Sequence, residues 1–366
     1  MTPDRAGKTK IVKDNKGQYE MKTLELFLKK TEQIPLQSTW YLTDISYMQG
    51  LQELYKKQSP QKLKILREHA LIESAVSSTR IEGVEVEKSR IGTLIFGKSS
   101  FKDRNEEEVQ GYRDSLNLVH SQAKDLSISE KTILRLHELC RGEIWDAGRY
   151  KEKAVDIIQK YADGRHRVRF KTVSPLETPI MMKQTITMWQ ECMKEKWIHP
   201  LIILGALNLD FLCIHPFRDG NGRVSRLLLL LNCYYIGIEV GRYISIEHLI
   251  ENHKDRYYET LEESSLHWHE GKHNPWPYIN FILFIIKSAY KEFKDRVGSV
   301  KEARGVKTEI IESAIKHQIT PFTISAIQKE CPGVSIDMIR YVLKQLRKNN
   351  EVKCLGRGRA AKWENV

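Results

Sequence analysis

The sequence predicts a mainly α-helical protein that carries a small β-hairpin and a separate C-terminal unit of three helices and two strands. Apolar residues recur at helical spacing through most of the chain up to about residue 295, and this period is the main sequence signal of helices. Residues typical of strands occur only in short stretches beside turn signals. At 366 residues, two or three domains are expected. We divide the chain into a disordered tail at 1–18, a helical region at 19–110, a helical core at 111–298 and the C-terminal unit at 299–366.

The N-terminal regions are predicted from composition and helix-capping signals. Residues 1–18 are polar and rich in lysine, without the apolar run of a signal peptide, and this composition is typical of a disordered tail. Ser59 and Pro60 suit the first positions of a helix. Apolar residues at helical spacing follow, so we expect a helix that starts at about Pro60 and reaches Gly83.

The core is predicted to contain six helices and one hairpin. Ser127 and Glu130 form a capping box that opens a helix ending near Gly142. The hairpin consists of two short strands, at 155–158 and 167–173, around a turn at Gly164. The other helices are expected at 179–196, 200–213, 221–236, 246–263 and 277–293.

Residues 215–226, which read HPFRDGNGRVSR, lead directly into the apolar helix at 221–236. Gly220, Asn221 and Gly222 therefore lie at a helix N-terminus, where free backbone N–H groups and the helix dipole favour an anion. The two glycines allow the backbone to approach such a ligand closely. The loop is thus a candidate phosphate-binding site.

Four charged or titratable side chains of this loop suit the handling of a polyphosphate. Arg223 and Arg226 share one face of the first helical turn, and guanidinium groups bind phosphate oxygens in pairs. Asp219 offers the hard oxygen ligand that Mg²⁺ takes alongside substrate phosphates. His215 titrates near neutral pH and could remove a proton from a hydroxyl.

The loop resembles the motif of the Fic proteins, His-x-Phe-x-(Asp/Glu)-Gly-Asn-(Gly/Lys)-Arg-x-x-Arg, and every defined position is met. The resemblance implies transfer of AMP from ATP to a hydroxyl group of a target protein. It implies that His215 activates the hydroxyl, with Phe217 as the buried anchor of the loop. It further implies ligands for the substrate: Asp219 for Mg²⁺ at the phosphates, Gly220, Asn221 and Gly222 for the α- and β-phosphates, Arg223 for the β-phosphate and Arg226 for the γ-phosphate.

A second motif, Ser78-Thr79-Arg80-Ile81-Glu82-Gly83, resembles the inhibitory pattern of the same family, (Ser/Thr)-x-x-x-Glu-(Gly/Asn). The resemblance implies that Glu82 pairs with Arg226 and displaces the γ-phosphate. A carboxylate can do this because it competes with phosphate for the same guanidinium donors.

The predicted hairpin resembles the flap with which the family holds a target peptide by strand addition. On this resemblance, Val155, Asp156, Ile157 and Ile158 bind the target. Lys151 departs from the more common arginine, so target recognition stays open. Tyr257 and Tyr258 resemble a tyrosine pair that borders the nucleotide pocket, with ordinary helix packing as the alternative.

Composition favours a cytoplasmic enzyme without a membrane segment. The six cysteines show no C-x-x-C spacing and lie in apolar patterns, which is typical of reduced, buried thiols. Two other patterns are set aside. The segment 92–99 matches the phosphate-loop pattern but has a bulky apolar interior. His267, His269 and His273 suggest zinc, but they lie in a polar connection where a solvated loop is favoured.

The C-terminal unit is predicted to be a winged helix-turn-helix, with helices at 306–317, 323–330 and 335–349 and two strands within 351–363. From residue 301 onward it has 13 Lys/Arg against 7 Asp/Glu, which is +6 of the chain's net charge of +12. This charge suits DNA, although protein contact or a solvated face remain alternatives. The basic residues in question are Arg340, Lys344, Arg347 and Lys348 on the third helix, and Arg357 and Arg359 at the wing tip.

The sequence thus predicts a Mg²⁺-dependent protein adenylyltransferase that is autoinhibited by Glu82 and modifies a Ser, Thr or Tyr hydroxyl of a partner protein. Two alternatives remain: an enzyme that removes AMP, alone or in addition, and a nucleotide-sensing regulator that binds DNA. The assembly also stays open, with a homodimer as one option.

Overall fold

The computed structural model describes residues 22–30, 33–58, 60–83, 87, 104–160, 165–298, 306–318, 320–331, 334–356, 358 and 361–366. The tail at 1–18, the segment 92–99, the turn at Gly164, and Arg357 and Arg359 lie outside these residues. The prediction of a mainly α-helical fold is confirmed. The first eleven described helices are α1 (Thr23–Leu28), α2 (Leu36–Gln58), α3 (Pro60–Ile81), α4 (Arg104–Gln122), α5 (Glu130–Arg141), α6 (Thr178–Glu195), α7 (Pro200–Ile214), α8 (Asn221–Tyr235), α9 (Ile246–Asn252), α10 (Lys254–Ser265) and α11 (Trp276–Gly298).

Helix α7 is the centre of the core, and every residue from Leu201 to Ile214 is buried. Its two polar side chains are satisfied by neighbouring elements, as buried polar groups must be. Asp210 accepts hydrogen bonds from the backbone N–H groups of Thr23 and Leu24 and from the indole of Trp268. Asn208 donates to the carbonyl oxygen of Ser225. Helix α7 is therefore held against α1 and α8, and its C-terminal end delivers the loop 215–220 in a fixed position.

Two features of the helix boundaries differ from those predicted. The side chain of Ser129, not Ser127, caps α5 by accepting from the backbone N–H of Thr132 at 3.3 Å. The helix expected at 246–263 is interrupted at His253, whose φ of −121° and ψ of 32° separate α9 from α10. The apolar period continues through this single residue, so spacing could not reveal the break.

The strands of the hairpin differ from the predicted 155–158 and 167–173: β1 (Ile157–Lys160) has the same length but lies two residues later, and β2 (His166–Phe170) begins one residue earlier and ends three residues earlier. The strands are antiparallel, and Ile158 pairs with Val168. Val155 and Asp156 precede the strand, where they accept hydrogen bonds from Thr172 instead of pairing across a ladder.

The C-terminal unit contains three helices and a three-stranded antiparallel sheet with strand order β3-β5-β4. One strand more is found than was expected, because a two-residue strand carries no readable alternation. Thr323 belongs to this strand and also caps the next helix, accepting from the backbone N–H of Ala326. In chain order the elements are α12 (Val306–Lys316), β3 (Phe322–Thr323), α13 (Ile324–Glu330), α14 (Ile336–Lys348), β4 (Val352–Cys354) and β5 (Lys362–Asn365).

The C-terminal unit packs directly on helix α3. Ile65 of α3 is 5% exposed and belongs to the apolar cluster formed by the unit, which includes Ile311 and Ile315. The imidazole rings of His69 and His317 lie 4.6 Å apart between their centroids. Within the residues described, no helix has both the length and the apolar character that crossing a membrane requires.

Candidate active site

His215 lies at the C-terminal end of α7 in a left-handed conformation, with φ 52° and ψ 61°. Its backbone N–H still donates to the carbonyl oxygen of Phe211 at 3.0 Å, so it ends the helix and turns the chain into the loop. Burial and, to a smaller extent, the nearby charge of Lys151 lower the pKa of the imidazole to about 4. The ring is therefore neutral at pH 7 and available as a base.

The loop is closed by a reciprocal pair of hydrogen bonds. The side chain of Asn221 accepts from the backbone N–H of Phe217 at 2.9 Å and donates to the carbonyl oxygen of Phe217 at 2.8 Å. The Phe217 ring is buried and stacks on His137, with 3.7 Å between centroids and 3° between planes. The anchor role expected of Phe217 thus agrees with its packing. The Asn221 amide is committed to the loop, so contact with a phosphate would have to come from its backbone N–H.

The glycines of the loop lie where backbone conformation and close approach require them. Gly220 caps α8 with a φ of 82°, a left-handed conformation that glycine adopts without strain. At Gly222 a β-carbon would overlap with the carboxylate of Glu82. That carboxylate therefore rests against the first turn of α8, at the position where an anion is favoured by the helix dipole.

Arg226, Glu82 and Ser78 meet although 144 and 148 residues of chain separate the arginine from its partners. The guanidinium Nη2 of Arg226 donates to Glu82 Oε1 at 2.8 Å and to the carbonyl oxygen of Ser78 at 2.9 Å. Its Nε donates to Ser78 Oγ at 2.9 Å. Burial opposes the charge of Arg226, but Glu82, together with Tyr112 and Tyr257, outweighs it and raises the arginine's pKa. The sequence pointed to the glutamate, whereas the double contact of Ser78 was not anticipated.

Two side chains of α10 hold the C-terminal end of helix α3, directly before Glu82. The hydroxyl of Tyr258 donates to the carbonyl oxygen of Ile81 at 3.2 Å, and Lys254 Nζ donates to that of Arg80 at 3.3 Å. These donors satisfy carbonyls that a helix C-terminus leaves without partners. Glu82 consequently approaches Arg226 from a well-defined helix end.

Arg223 and Asp219 belong to an ion-pair network with two buried residues, Glu108 and Arg141, that sequence reasoning missed. Arg223 Nη1 lies 3.1 Å from Glu108 Oε2, and Arg223 Nη2 lies 3.6 Å from Asp219 Oδ1. Arg141 Nη1 lies 2.6 Å from Asp219 Oδ2 and 3.5 Å from Glu108 Oε1. Glu108 on α4 and Arg141 on α5 are both buried. They fix the directions of the motif's carboxylate and of its first arginine.

His137 of α5 supports the same loop from its other side. Its Nδ1 accepts from the backbone N–H of Gly148 at 3.0 Å, so its Nε2 carries the proton and donates to the carbonyl oxygen of Asp219 at 3.0 Å. Burial lowers the pKa of His137 to about 4, which keeps the ring neutral. A neutral ring can stack on Phe217 and orient the loop without adding charge to it.

Asp219 is the residue that could hold a metal ion. Burial opposes its ionisation, but Arg141 and Arg223 outweigh this and lower the pKa of its carboxyl. Its side chain is 53% exposed, so one side of the carboxylate is open. Within the described part of the chain, no cluster of three or more His, Cys, Asp or Glu residues could form a protein cage for a metal. A single carboxylate fits Mg²⁺, which is commonly bound through one or two carboxylates, waters and substrate phosphates.

A cavity of about 260 Å³ opens between the motif, the hairpin and α10. Tyr257 and Tyr258 both line it. Tyr257 is also buried against the ring of Phe281, at 5.8 Å between centroids. Tyr257 therefore both borders the cavity and takes part in ordinary helix packing, the two alternatives stated for the tyrosine pair. The cavity's other wall residues include Glu82, Asp156, Ile157, Arg169, His215 and Gly222.

The hairpin contributes one part of its predicted binding residues to the cavity and another to the surface. Asp156 and Ile157 line the cavity, whereas the Ile158 side chain is exposed. Lys151 connects the hairpin to the motif, because its Nζ donates to Thr172 Oγ1 at 2.8 Å and to the carbonyl oxygen of Ile214 at 3.1 Å. Burial lowers the pKa of Lys151 to about 8.

The three histidines that suggested zinc do not converge. His267 pairs with Glu270 at 2.9 Å, His269 contacts the carbonyl oxygen of Lys171, and His273 contacts the hydroxyl of Thr23. His273 and Trp268 are buried, so the segment is not the solvated loop that was favoured.

Comparison with known proteins identifies the fold and the domain. The model of the Fic/DOC family matches residues 127–233. The "Protein adenylyltransferase Fic" of Culex quinquefasciatus is 22% identical over 233 residues, which are 61% of this chain and 41% of that protein. The chain thus spans about two fifths of the length of this curated relative.

Solved structures agree with this assignment at the level of the fold. A Fic family protein from Desulfovibrio desulfuricans superposes with a TM-score of 0.59 and 18% identity, covering 92% of this chain and 97% of that one. A Fic domain containing signaling protein from Bacteroides thetaiotaomicron gives 0.58 and 20%, covering 70% and 98%. Fic-1 from C. elegans gives 0.56 and 19%, covering 72% and 75%.

Proposed function

We propose that this chain, whose residues 127–233 match the model of the Fic/DOC family, transfers AMP from ATP to a hydroxyl side chain of a target protein. We further propose that Glu82 inhibits this transfer. The observation that carries both statements is the 2.8 Å contact between Glu82 and Arg226, beside the cavity that His215 also lines. A nucleoside triphosphate whose γ-phosphate bound Arg226 would have to displace Glu82 from the guanidinium.

The reaction needs one proton transfer and one exchange of bonds at phosphorus. The oxygen of the target hydroxyl forms a bond to the α-phosphorus of ATP, while the bond from that phosphorus to the bridging oxygen breaks and pyrophosphate leaves. His215 accepts the proton of the hydroxyl. Its pKa of about 4 supports this role, since the ring is neutral at physiological pH.

The phosphates would lie along the first turn of α8. The backbone N–H groups at Gly222 and Asn221 suit the α- and β-phosphates, and Arg223 suits the β-phosphate. Arg226 would take the γ-phosphate once Glu82 has left. A Mg²⁺ ion at Asp219 would neutralise charge on the phosphates, and Arg141 holds that carboxylate in place.

Radioactive transfer provides the direct test. The Glu82→Gly variant, incubated with α-labelled ATP and cell lysate, should label one or more proteins beyond those labelled in lysate alone, whereas γ-labelled ATP should add no label beyond that seen in lysate alone. The wild-type chain should label them more weakly. Glu195→Gly, which also removes an exposed glutamate at a helix end, serves as the matched control and should behave as wild type. Additional labelling from the γ-phosphate, above that of lysate alone, would show phosphoryl transfer instead, and no additional labelling by any variant would refute the transferase.

Removal of AMP is a second candidate function for the same site. The Glu82 side chain is 33% exposed and lines the cavity together with His215. A carboxylate in that position could orient a water molecule toward an AMP-modified side chain. Incubation of a modified target with the wild-type chain and Mg²⁺ would then release AMP, and Glu82→Gly would lose this release while gaining transfer.

We also propose a cytoplasmic location. The six cysteines are free, and five of them are buried. Buried free thiols are typical of reducing compartments.

A further inference from the structure

Helix α14 in the C-terminal unit has two chemically different faces. Its apolar residues Ile339, Val342, Leu343 and Leu346 are buried in the unit's core. Apart from Ile336 and Met338 near its N-terminus, the rest of its surface is polar and faces solvent. The exposed residues of this second face are Asp337, Arg340, Tyr341, Lys344, Gln345, Arg347 and Lys348, and we refer to them as the basic face.

The basic face lies on the second helix of a helix-turn-helix. Thr323 caps α13, and Ser335 caps α14 by accepting from the backbone N–H of Met338. The sheet β3-β5-β4 packs beside them. In proteins with this element order, the second helix lies in the major groove of DNA. Helix α14 has 13 residues and is therefore about 20 Å long, and the major groove is wide enough to admit a helix.

The basic face remains open while the unit is docked on the rest of the protein. The contacts with α3 come from the cluster around Ile311 and Ile315 and from His317, on α12 and just after it. With these contacts in place, the Tyr341 side chain is still 54% exposed and the Arg340 side chain 58% exposed. DNA could therefore bind without separating the unit from the Fic domain.

The charge of the face suits a polyanion. Four cations stand against one carboxylate, Asp337, which pairs with Arg340 at 3.0 Å. Within the described residues, Lys344, Arg347 and Lys348 have no acidic partner among the ion pairs found. Cations that are not neutralised within the protein are those that replace condensed counterions along DNA.

We propose that the basic face of α14 binds duplex DNA through the major groove. Arg340 and Tyr341, in the first half of the helix, contact base edges. Lys344, Arg347 and Lys348 contact phosphates. The residues of this surface lie outside the Fic domain and outside the cavity.

Fluorescence anisotropy with the full-length chain tests the proposal. A labelled 40-base-pair duplex of mixed genomic sequence should bind with a Kd in roughly the micromolar range at low salt. The logarithm of the affinity should fall with the logarithm of the salt concentration with a slope of about −3, one for each of the three phosphate-contacting side chains. No binding at micromolar protein and low salt would overturn the proposal and favour a protein partner for this face.

Charge reversal locates the surface. The triple variant Lys344→Glu, Arg347→Glu and Lys348→Glu should lose most of the salt-dependent binding. The control variant Lys131→Glu, Lys183→Glu and Lys194→Glu makes the same change of net charge at exposed positions of α5 and α6 and should bind like the wild type. An equal loss in both variants would mean that only net charge matters, which would contradict a site on α14. Circular dichroism should show that both variants fold, since the apolar positions of α14 are unchanged.

Single-stranded competitors separate groove binding from general attraction to polyanions. A single strand of equal length should compete at least several-fold less well than the duplex, because it has no major groove. Equal competition would refute the duplex assignment. The variant Arg340→Ala with Tyr341→Ala should keep the salt slope and lose the differences in affinity between duplex sequences, since it leaves the phosphate contacts in place.

Discussion

The protein has two groups of cations on helices, and they are built in opposite ways. At the N-terminus of α8, Arg223 and Arg226 are each 2% exposed and bonded to partners fixed by other helices. On α14 the cations point into solvent, and the Arg340 side chain is 58% exposed. The first group can discriminate between anions by geometry. The second can attract any polyanion at long range, and it loses strength with salt.

The difference shows what a buried arginine requires. A guanidinium without a partner in the interior is strongly destabilising. Each of the two buried arginines of α8 accordingly forms an ion pair with a carboxylate. Glu108 serves Arg223, and Glu82 serves Arg226. Glu82 differs from Glu108 because its side chain is 33% exposed and can leave toward solvent. One buried arginine therefore has a permanent partner and the other has an exchangeable one.

The largest effect is expected from removal of the base at the buried site. His215→Ala should reduce AMP transfer by about 10²–10⁴-fold, because general-base catalysis contributes that much. ATP binding measured by calorimetry should persist, since the phosphate contacts come from other residues. His267→Ala, at an exposed histidine outside the cavity, should transfer at the wild-type rate. Undiminished transfer by His215→Ala would show that the base is another group.

The exchangeable partner can be tested with a double-mutant cycle. Glu82→Gly should increase transfer by roughly 10–100-fold, the equivalent of one hydrogen bond to a charged group. Glu82→Gly combined with Arg226→Ala should lose this gain, because the gain acts through the arginine. If activation persists without Arg226, Glu82 inhibits by another route, and the contrast between permanent and exchangeable partners fails.

The influence of Lys151 on the base gives a smaller, pH-dependent effect. With a pKa of about 4, His215 should be active above that pH and lose activity as the pH falls through it. The charge of Lys151 lowers this pKa, so Lys151→Met should raise it and move the acidic limb of kcat/KM to higher pH. Lys151→Arg keeps the charge and should leave the limb in place. An unmoved limb in Lys151→Met would show that burial alone sets the pKa.

The smallest effect is a difference in stability between the two regions. Burial lowers the pKa of His120 in the core to about 3 and raises that of Glu330 in the C-terminal unit to about 7. Between about pH 3 and 6.5 the unfolded state binds more protons at His120, so this contribution to core stability rises with pH. Between about pH 4.5 and 7 the folded state binds more protons at Glu330, so its contribution falls as the pH rises.

Hydrogen exchange followed by mass spectrometry at pH 5 and pH 7, corrected for intrinsic rates, can resolve the two regions. Protection around His120 should increase from pH 5 to pH 7 relative to that around Glu330. Glu330→Gln should remove the response of the C-terminal unit and leave that of the core. The same response in both regions of the wild-type chain would contradict the opposite shifts.

Sequence reasoning located the contiguous part of the site and missed its supports. The loop 215–226 could be interpreted because its residues are neighbours in the chain, and Glu82 because it belongs to a short motif. Glu108, Arg141 and His137 act from α4 and α5, across 78 to 115 residues of chain. A buried ion pair leaves no periodic pattern in the sequence, and helix packing determines which residues form it. Such residues become visible only when the helices are placed.

Helix α3 connects regions that the sequence divides. Ile65 belongs to the apolar cluster of the C-terminal unit, and Glu82 follows the other end of the same helix. Seventeen residues at 1.5 Å each place these points roughly 25 Å apart along one rigid element. If α3 sits differently when Glu82 releases Arg226, docking of the C-terminal unit and occupancy by ATP share a coupling free energy. That coupling is reciprocal: the factor by which a ligand of the unit changes ATP affinity is the factor by which ATP changes the affinity of that ligand.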